Sequence, residues 1–77
     1  MNRNEALGAV IRATRIRLNI SQEKLAETAK LHRNAMGRIE RCEVVVSTGT
    51  LWLIADALGV PASELMREAE ILAAHKP

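Results

Sequence analysis

Three side chains that can read nucleobases occur close together near the middle of the chain. Arg33, Asn34 and Arg38, followed by Arg41, would share one side of a helix through residues 33–41. A guanidinium can donate to two acceptors of guanine, and an asparagine amide can pair with adenine, in the major groove of DNA. The spacing therefore predicts a short helix that inserts into that groove.

Such a helix needs a partner helix that fixes its orientation, and residues 21–41 predict two short helices joined by a tight turn. Ser21 suits the cap of the first of these helices, with Glu23 in its opening turn. Lys30 and Leu31 fall in the turn itself. The residues expected to face inward are Leu25, Ala26 and Ala29 on the first helix of the pair and Ala35, Met36 and Ile39 on the second.

Apolar periodicity predicts three further helices, over about residues 4–18, 48–58 and 62–74. The expected caps are Asn2 or Asn4, then Ser47 or Thr48, with Gly59 ending the fourth helix. The residues expected inward are Leu7, Val10, Ile11, Thr14 and Leu18, then Leu51, Ile54, Ala55 and Leu58, then Leu65, Met66, Ala69 and Leu72. Five helices with short loops predict a compact all-α fold and a single domain over 1–77.

The charge is divided unevenly along the 77 residues. Residues 1–41 contain nine basic and four acidic residues, a net charge of +5, whereas residues 42–77 contain two and five, a net charge of −3. A basic first half suits a polyanionic partner, here double-stranded DNA. A domain of this size buries little surface by itself, so a partner chain is also expected.

Other chemistries have little support in the sequence. Cys42 is the only cysteine, which excludes an intramolecular disulfide and a cysteine-based zinc site, and His75 is expected to be exposed. No nucleophile–base pair, glycine-rich phosphate loop or metal cluster stands out, so we expect no catalysis, cofactor or metal. No apolar run could serve as a signal peptide or span a membrane, and we expect a cytoplasmic protein.

Several sequence segments, in order, resemble the Cro/C1-type (lambda-repressor-like, XRE) helix-turn-helix regulators over about residues 5–66. The segments that carry the resemblance are Ile11-Arg12, Arg15, Ile20-Ser21-Gln22, Leu25-Ala26, Leu31, Arg38-Ile39-Glu40-Arg41 and Ala55-Asp56-Ala57-Leu58-Gly59-Val60-Pro61. The resemblance implies a five-helix DNA-binding domain in which residues 21–41 are the helix-turn-helix. Residues 47–74 would complete the core and support dimerisation.

The resemblance also implies roles for individual residues. Base edges would be read from Arg33, Asn34 and Arg38, and Arg15 and Glu40 would form a partly buried ion pair. The expected phosphate contacts are Gln22, His32, Arg41 and Arg17, although His32 equally suits a helix cap and the two arginines equally suit plain surface. Lys30, Asn19 and Cys42 stand where the family often has glycine, and Gly37 interrupts the reading helix.

Some apolar residues exceed what one small core requires. These are Val44, Val45 and Val46 in a loop, Trp52 and Leu53 on the fourth helix, and Ile71 on the fifth. They fit either a thicker core or, as we favour, a homodimer interface. The sequence thus predicts a dimeric repressor or autoregulator that binds an inverted-repeat operator. A restriction–modification controller, or an antitoxin-like regulator that also binds a partner protein, is the alternative.

Overall fold

The computed structural model describes residues 1–75, which form five helices and no strand. They are α1 (Arg3–Arg17), α2 (Gln22–Ala29), α3 (Arg33–Glu40), α4 (Thr48–Leu58) and α5 (Ala62–Ala74). Helix α1 packs against α5 and α3, α2 packs against α3 and α4, and α4 packs against α5. The all-α fold class is therefore confirmed. None of these helices is long and apolar enough to cross a membrane.

Local capping determines where the helices begin and end. The Asn2 side chain accepts a hydrogen bond from the backbone N–H of Glu5, whose carboxylate accepts from Asn2 N in return. The hydroxyls of Ser21 and Ser47 cap α2 and α4. Gly59 ends α4 in the left-handed conformation at φ +75°.

Three residues other than glycine also adopt positive φ, and all three stand where the resemblance led us to expect glycine. Asn19, Lys30 and Cys42 have φ of 60°, 60° and 62°. Lys30 ends α2, and the next N–H, that of Leu31, donates to the carbonyl of Ala26 at 2.9 Å. The turn before α3 therefore keeps the tight geometry at a conformational cost of about 1 kcal/mol.

The core is formed by buried aliphatic side chains from every helix. Ile11, Leu25, Met36, Ile54 and Leu65 are its largest fully buried side chains. The four residues expected inward on α4 are all buried, as are Thr14 and the three on α2.

Four inward predictions were wrong. Ala35 is exposed on α3, and Leu18, Met66 and Leu72 keep 37%, 46% and 38% of their surface exposed. Leu18 lies beyond the last turn of α1, and the other three lie at the edges of apolar faces that no other helix of residues 1–75 covers completely.

Gly8 allows α1 to approach the end of α3 closely. A β-carbon at this position would overlap the carbonyl oxygen of Ile39 and would stand 3.2 Å from Cys42 Sγ. The absence of a side chain at Gly8 therefore permits the close approach of α1 to the end of the helix predicted to read DNA.

Candidate DNA-binding surface

The outer face of α3 is open to solvent. The side chains of Arg33, Arg38 and Arg41 keep 70%, 57% and 61% of their surface exposed, and Asn34 is exposed beside them. The opposite face is buried, since Met36, Ile39 and Glu40 have 0%, 4% and 5% exposure. The helix therefore presents guanidinium and amide groups outward while its apolar side anchors it to the core.

A buried ion pair holds α3 from behind. The carboxylate of Glu40, whose side chain is 1% exposed, accepts from Arg15 Nε at 2.7 Å and from Arg15 Nη2 at 2.9 Å. Arg15 Nη1 also donates to the carbonyl of Ile20 at 2.9 Å. The hydrogen bond to Glu40 raises the pKa of the Arg15 guanidinium. The end of α3 is thereby tied to α1 and to the segment that precedes α2.

Gln22 joins this network. Its Nε2 donates to Glu40 Oε1 at 3.1 Å, and the side chain is half-buried at the start of α2. Its Oε1 and the end of the Arg41 side chain both lie beside Gly37, where a β-carbon would stand 3.6 Å from the first and 2.9 Å from Arg41 Nη1. Two residues expected at phosphates thus both lie beside Gly37, whose lack of a side chain leaves room for them.

His32 is the cap of α3. Its Nδ1 accepts from the backbone N–H of Asn34 at 3.1 Å. A ring nitrogen that accepts carries no hydrogen, so the ring hydrogen lies on Nε2, which remains able to donate. The capping role and the phosphate role that the sequence left open are compatible, because they use different nitrogens.

Carboxylates lie beside Arg33 and Arg38 of α3 and beside Arg41, the residue that follows the helix. The sequence did not lead us to expect these contacts. Glu23 Oε2 lies 3.8 Å from Arg33 Nη1. Glu43 contacts two arginines, with 2.6 Å between its Oε2 and Arg41 Nε and 4.0 Å between its Oε1 and Arg38 Nε. Hydrogen bonding between Arg41 and Glu43 raises the pKa of the guanidinium and lowers that of the carboxyl.

The residues expected at a dimer interface do not share one environment. Val44 and Val46 are half-buried and pack against the core, whereas Val45 is 72% exposed. All three line a shallow pocket together with Ala35 and Arg38, so this loop lies beside α3.

Helices α4 and α5 also carry exposed apolar residues. Trp52 and Leu53 are 60% and 43% exposed, and Ile71 is 59% exposed. Met66 and Leu72, which we expected in the core, add to this exposed apolar area. Ile71 and Leu72 also line a shallow groove with Val10, a residue of α1.

Of the other candidate residues, Arg17 and His75 are exposed and Cys42 is half-buried. Within residues 1–75, no three histidine, cysteine, aspartate or glutamate side chains are grouped so that they could hold a metal ion. The arrangement of the α3 surface suits the recognition of an anionic partner with exposed hydrogen-bond acceptors.

Comparison with known proteins shows similarity to helix-turn-helix regulators. A family model described as Helix-turn-helix matches residues 11–65. Control protein C.SmaI of Serratia marcescens is 39% identical over 66 residues, which cover 86% of this chain and 79% of that protein. The clp gene regulator ClgR of C. glutamicum has a TM-score of 0.92 at 28% identity, with 99% of both chains covered. The restriction-modification controller protein C.AhdI of Aeromonas hydrophila has a TM-score of 0.75 at 33% identity, over 78% of this chain and 91% of that one.

Proposed function

Because this chain belongs to the helix-turn-helix family of DNA-binding regulators, we propose that it binds an inverted-repeat operator as a homodimer. Each copy would place α3 in a major groove, with the two half-sites about one helical turn apart. The observation that carries the proposal is the open face of α3 together with the ion pair of Arg15 and Glu40 that fixes its orientation. Residues 1–77 would act as one DNA-binding domain.

We assign base reading to Arg33, Asn34 and Arg38, which occupy the exposed side of α3. Arginine would pair with guanine, and asparagine with adenine. The proposed phosphate contacts are Gln22, His32, Arg41 and Arg17. These contacts position the domain on the duplex and supply much of its affinity, so binding should weaken steeply as salt concentration rises.

The dimer surface is proposed on α4 and α5. Trp52, Leu53 and Ile71 are exposed apolar residues on helices that pack against each other, and Met66 and Leu72 are exposed apolar residues of α5 as well. Burial of such residues by a second copy would remove apolar surface from water, and a tryptophan is a frequent interface anchor. We also propose the exposed Val45 for this interface, whereas Val44 and Val46 pack partly against the core of their own chain.

Similarity to two controller proteins favours one biological setting. C.SmaI is named as a control protein and C.AhdI as a restriction-modification controller protein. We propose that this chain regulates transcription of restriction–modification genes, as a repressor or autoregulator and by binding rather than catalysis. An antitoxin-like regulator that also contacts a partner protein is the second candidate, and the exposed apolar residues of α4 and α5 are what favour it.

Base reading can be tested by selecting bound fragments from random duplex DNA and titrating the recovered operator. Arg33→Ala or Asn34→Ala should weaken operator binding by about 5- to 150-fold and weaken nonspecific binding much less, because one bidentate base contact is worth about 1–3 kcal/mol. Gln22→Ala should weaken binding to the operator and binding to nonspecific DNA by more similar factors. Arg12→Ala, a change to an exposed arginine on α1, is the matched control. Unchanged operator preference in Arg33→Ala would refute the assignment.

The dimer can be tested by light scattering after gel filtration of the isolated chain. We expect a homodimer for the wild type, dissociation in Trp52→Ser, and no dissociation in Ile16→Ser, which alters a comparably exposed apolar residue on α1. A wild-type monomer that associates only with a second protein would support the antitoxin-like candidate instead.

A further inference from the structure

Glu43 is placed beside the reading helix by its backbone. Cys42 turns the chain at φ +62°, and its N–H donates to the carbonyl of Ile39 at 3.0 Å. The N–H of Glu43 then donates to the carbonyl of Arg38 at 2.9 Å. Cys42 Sγ contacts the carbonyl of Glu5 at 3.0 Å, which links the turn to α1. These contacts fix the backbone position of Glu43 at the end of α3.

From this position the carboxylate reaches two arginines that have different proposed roles. Its Oε2 is bonded to Nε of Arg41, a proposed phosphate contact, at 2.6 Å. Its Oε1 lies 4.0 Å from Nε of Arg38, a proposed base reader. Glu43 is thus a negative charge on the surface that must approach a polyanion, and it costs affinity for any DNA.

We propose that Glu43 is a specificity-determining residue that weakens binding to nonspecific DNA more than binding to the operator. The proposal rests on the base-reading role assigned to α3. Nonspecific binding depends almost entirely on phosphate neutralisation. Both arginines must release or share Glu43 to contact phosphates, and the carboxylate repels those phosphates.

On the operator the same carboxylate has a smaller effect. Arg38 faces Glu43 through its Nε, so its two terminal nitrogens can donate to guanine while Nε stays beside the carboxylate. Arg41 is a proposed phosphate contact on both kinds of duplex, so its release from Glu43 costs the same on each, and the difference between them arises at Arg38. On a nonspecific sequence Arg38 finds no guanine at this position and contacts a phosphate instead, which requires it to leave Glu43. Discrimination therefore arises from a carboxylate that touches no base, which is a form of selection against the competing ligand.

The test measures operator and random-sequence affinities of Glu43→Gln across a range of salt concentrations. Loss of this carboxylate should raise nonspecific affinity by about three- to tenfold and steepen the salt dependence by about one phosphate contact. Operator affinity should rise by less than half of that factor, so the specificity ratio should fall by at least about twofold. Thermal melting will establish that the exposed loop change leaves the fold intact.

Glu64→Gln is the matched control. It removes the same formal charge from an exposed site in the first turn of α5, a helix that packs on α1 and α4. Its specificity ratio should equal that of the wild type. In an Arg41→Ala background, Glu43→Gln should steepen the salt dependence less than it does in the wild type, because Arg38 is then the only one of the two arginines left for it to free.

The inference is overturned if Glu43→Gln and Glu64→Gln have the same specificity ratio, or if Glu43→Gln weakens binding to both duplexes. Failure of the proposed function looks different, since the wild type itself would then show no preference for any selected sequence. Even in that case, the affinities for random-sequence DNA test whether Glu43 holds the two arginines. The Glu43→Gln variant must still bind random-sequence DNA more tightly than the Glu64→Gln variant does.

Discussion

Replacement of Arg15 by methionine isolates the contribution of the buried ion pair. Methionine keeps an unbranched apolar stem of similar length but supplies no donor to Glu40 or to the carbonyl of Ile20. The Glu40 carboxylate, whose side chain is 1% exposed, would keep one hydrogen bond, from Gln22. A charge that water cannot reach would then be nearly unpaired.

The cost should be large for a domain of this size. Removal of one partner of a buried ion pair typically costs about 3–5 kcal/mol, because the other charge stays desolvated. At roughly 0.05–0.15 kcal/mol per residue, the free energy of unfolding of the whole domain should be about 4–12 kcal/mol. Arg15→Met should therefore remove about a quarter or more of the free energy of unfolding and lower the midpoint of thermal unfolding by at least about 12 °C.

Urea unfolding followed by circular dichroism, at one fixed protein concentration, will measure the loss. Arg12→Met, an exposed change on the same helix, should alter stability by less than about 0.5 kcal/mol. The double variant Arg15→Met with Glu40→Gln should recover part of the loss, because the stranded charge is gone. A loss below about 1 kcal/mol for Arg15→Met, or no recovery in the double variant, would refute this account of the network.

Three further predictions concern the helix contacts and the pH dependence. Gly8→Ala should cost about 1–3 kcal/mol in urea unfolding despite the better helix propensity of alanine, because the new β-carbon overlaps the Ile39 carbonyl; unchanged stability would show that α1 and α3 can separate freely. Gly37→Ala should instead raise stability by up to about 1 kcal/mol, since only the flexible end of Arg41 has to move; a clear loss in the same assay would contradict this. Because the pKa of Glu43 is lowered in the folded state, its contribution is present above the ordinary carboxyl pKa of 4.5 and lost as pH falls through the lowered value. The difference in urea midpoint between the wild type and Glu43→Gln should thus stay constant from about pH 7 to 5 and shrink below that, and a difference that grows with acidity would have the wrong sign.

Much of the fold follows from signals that lie within a few residues of one another. The Asn2–Glu5 cap, Ser21, Ser47 and Gly59 mark helix ends, and the helix bounds agree with the sequence prediction to within about one residue at most ends. Apolar spacing identified the inward face of α4 completely. These signals are readable because helix caps and helical periodicity depend on short-range contacts.

The edges of the buried faces needed the tertiary structure. Ala35, Met66 and Leu72 have the spacing of core residues, yet each lies where no neighbouring helix of the described chain covers it. Periodicity gives the direction of a helical face but not its covered width. That width depends on where the adjacent helices lie.

The amino-acid sequence by itself determined the five helices, the outward guanidinium and amide groups of α3, and the partnership of Arg15 with Glu40 through family resemblance. Only the tertiary structure decided that Gln22 joins that pair, that Gly8 lies against Ile39, and that Glu43 reaches Arg38 and Arg41. Capping and periodicity act within one or two helical turns. Contacts between Gly8 and Ile39, or between Gln22 and Glu40, depend on how whole helices pack, and that arrangement is set by the buried core as a unit.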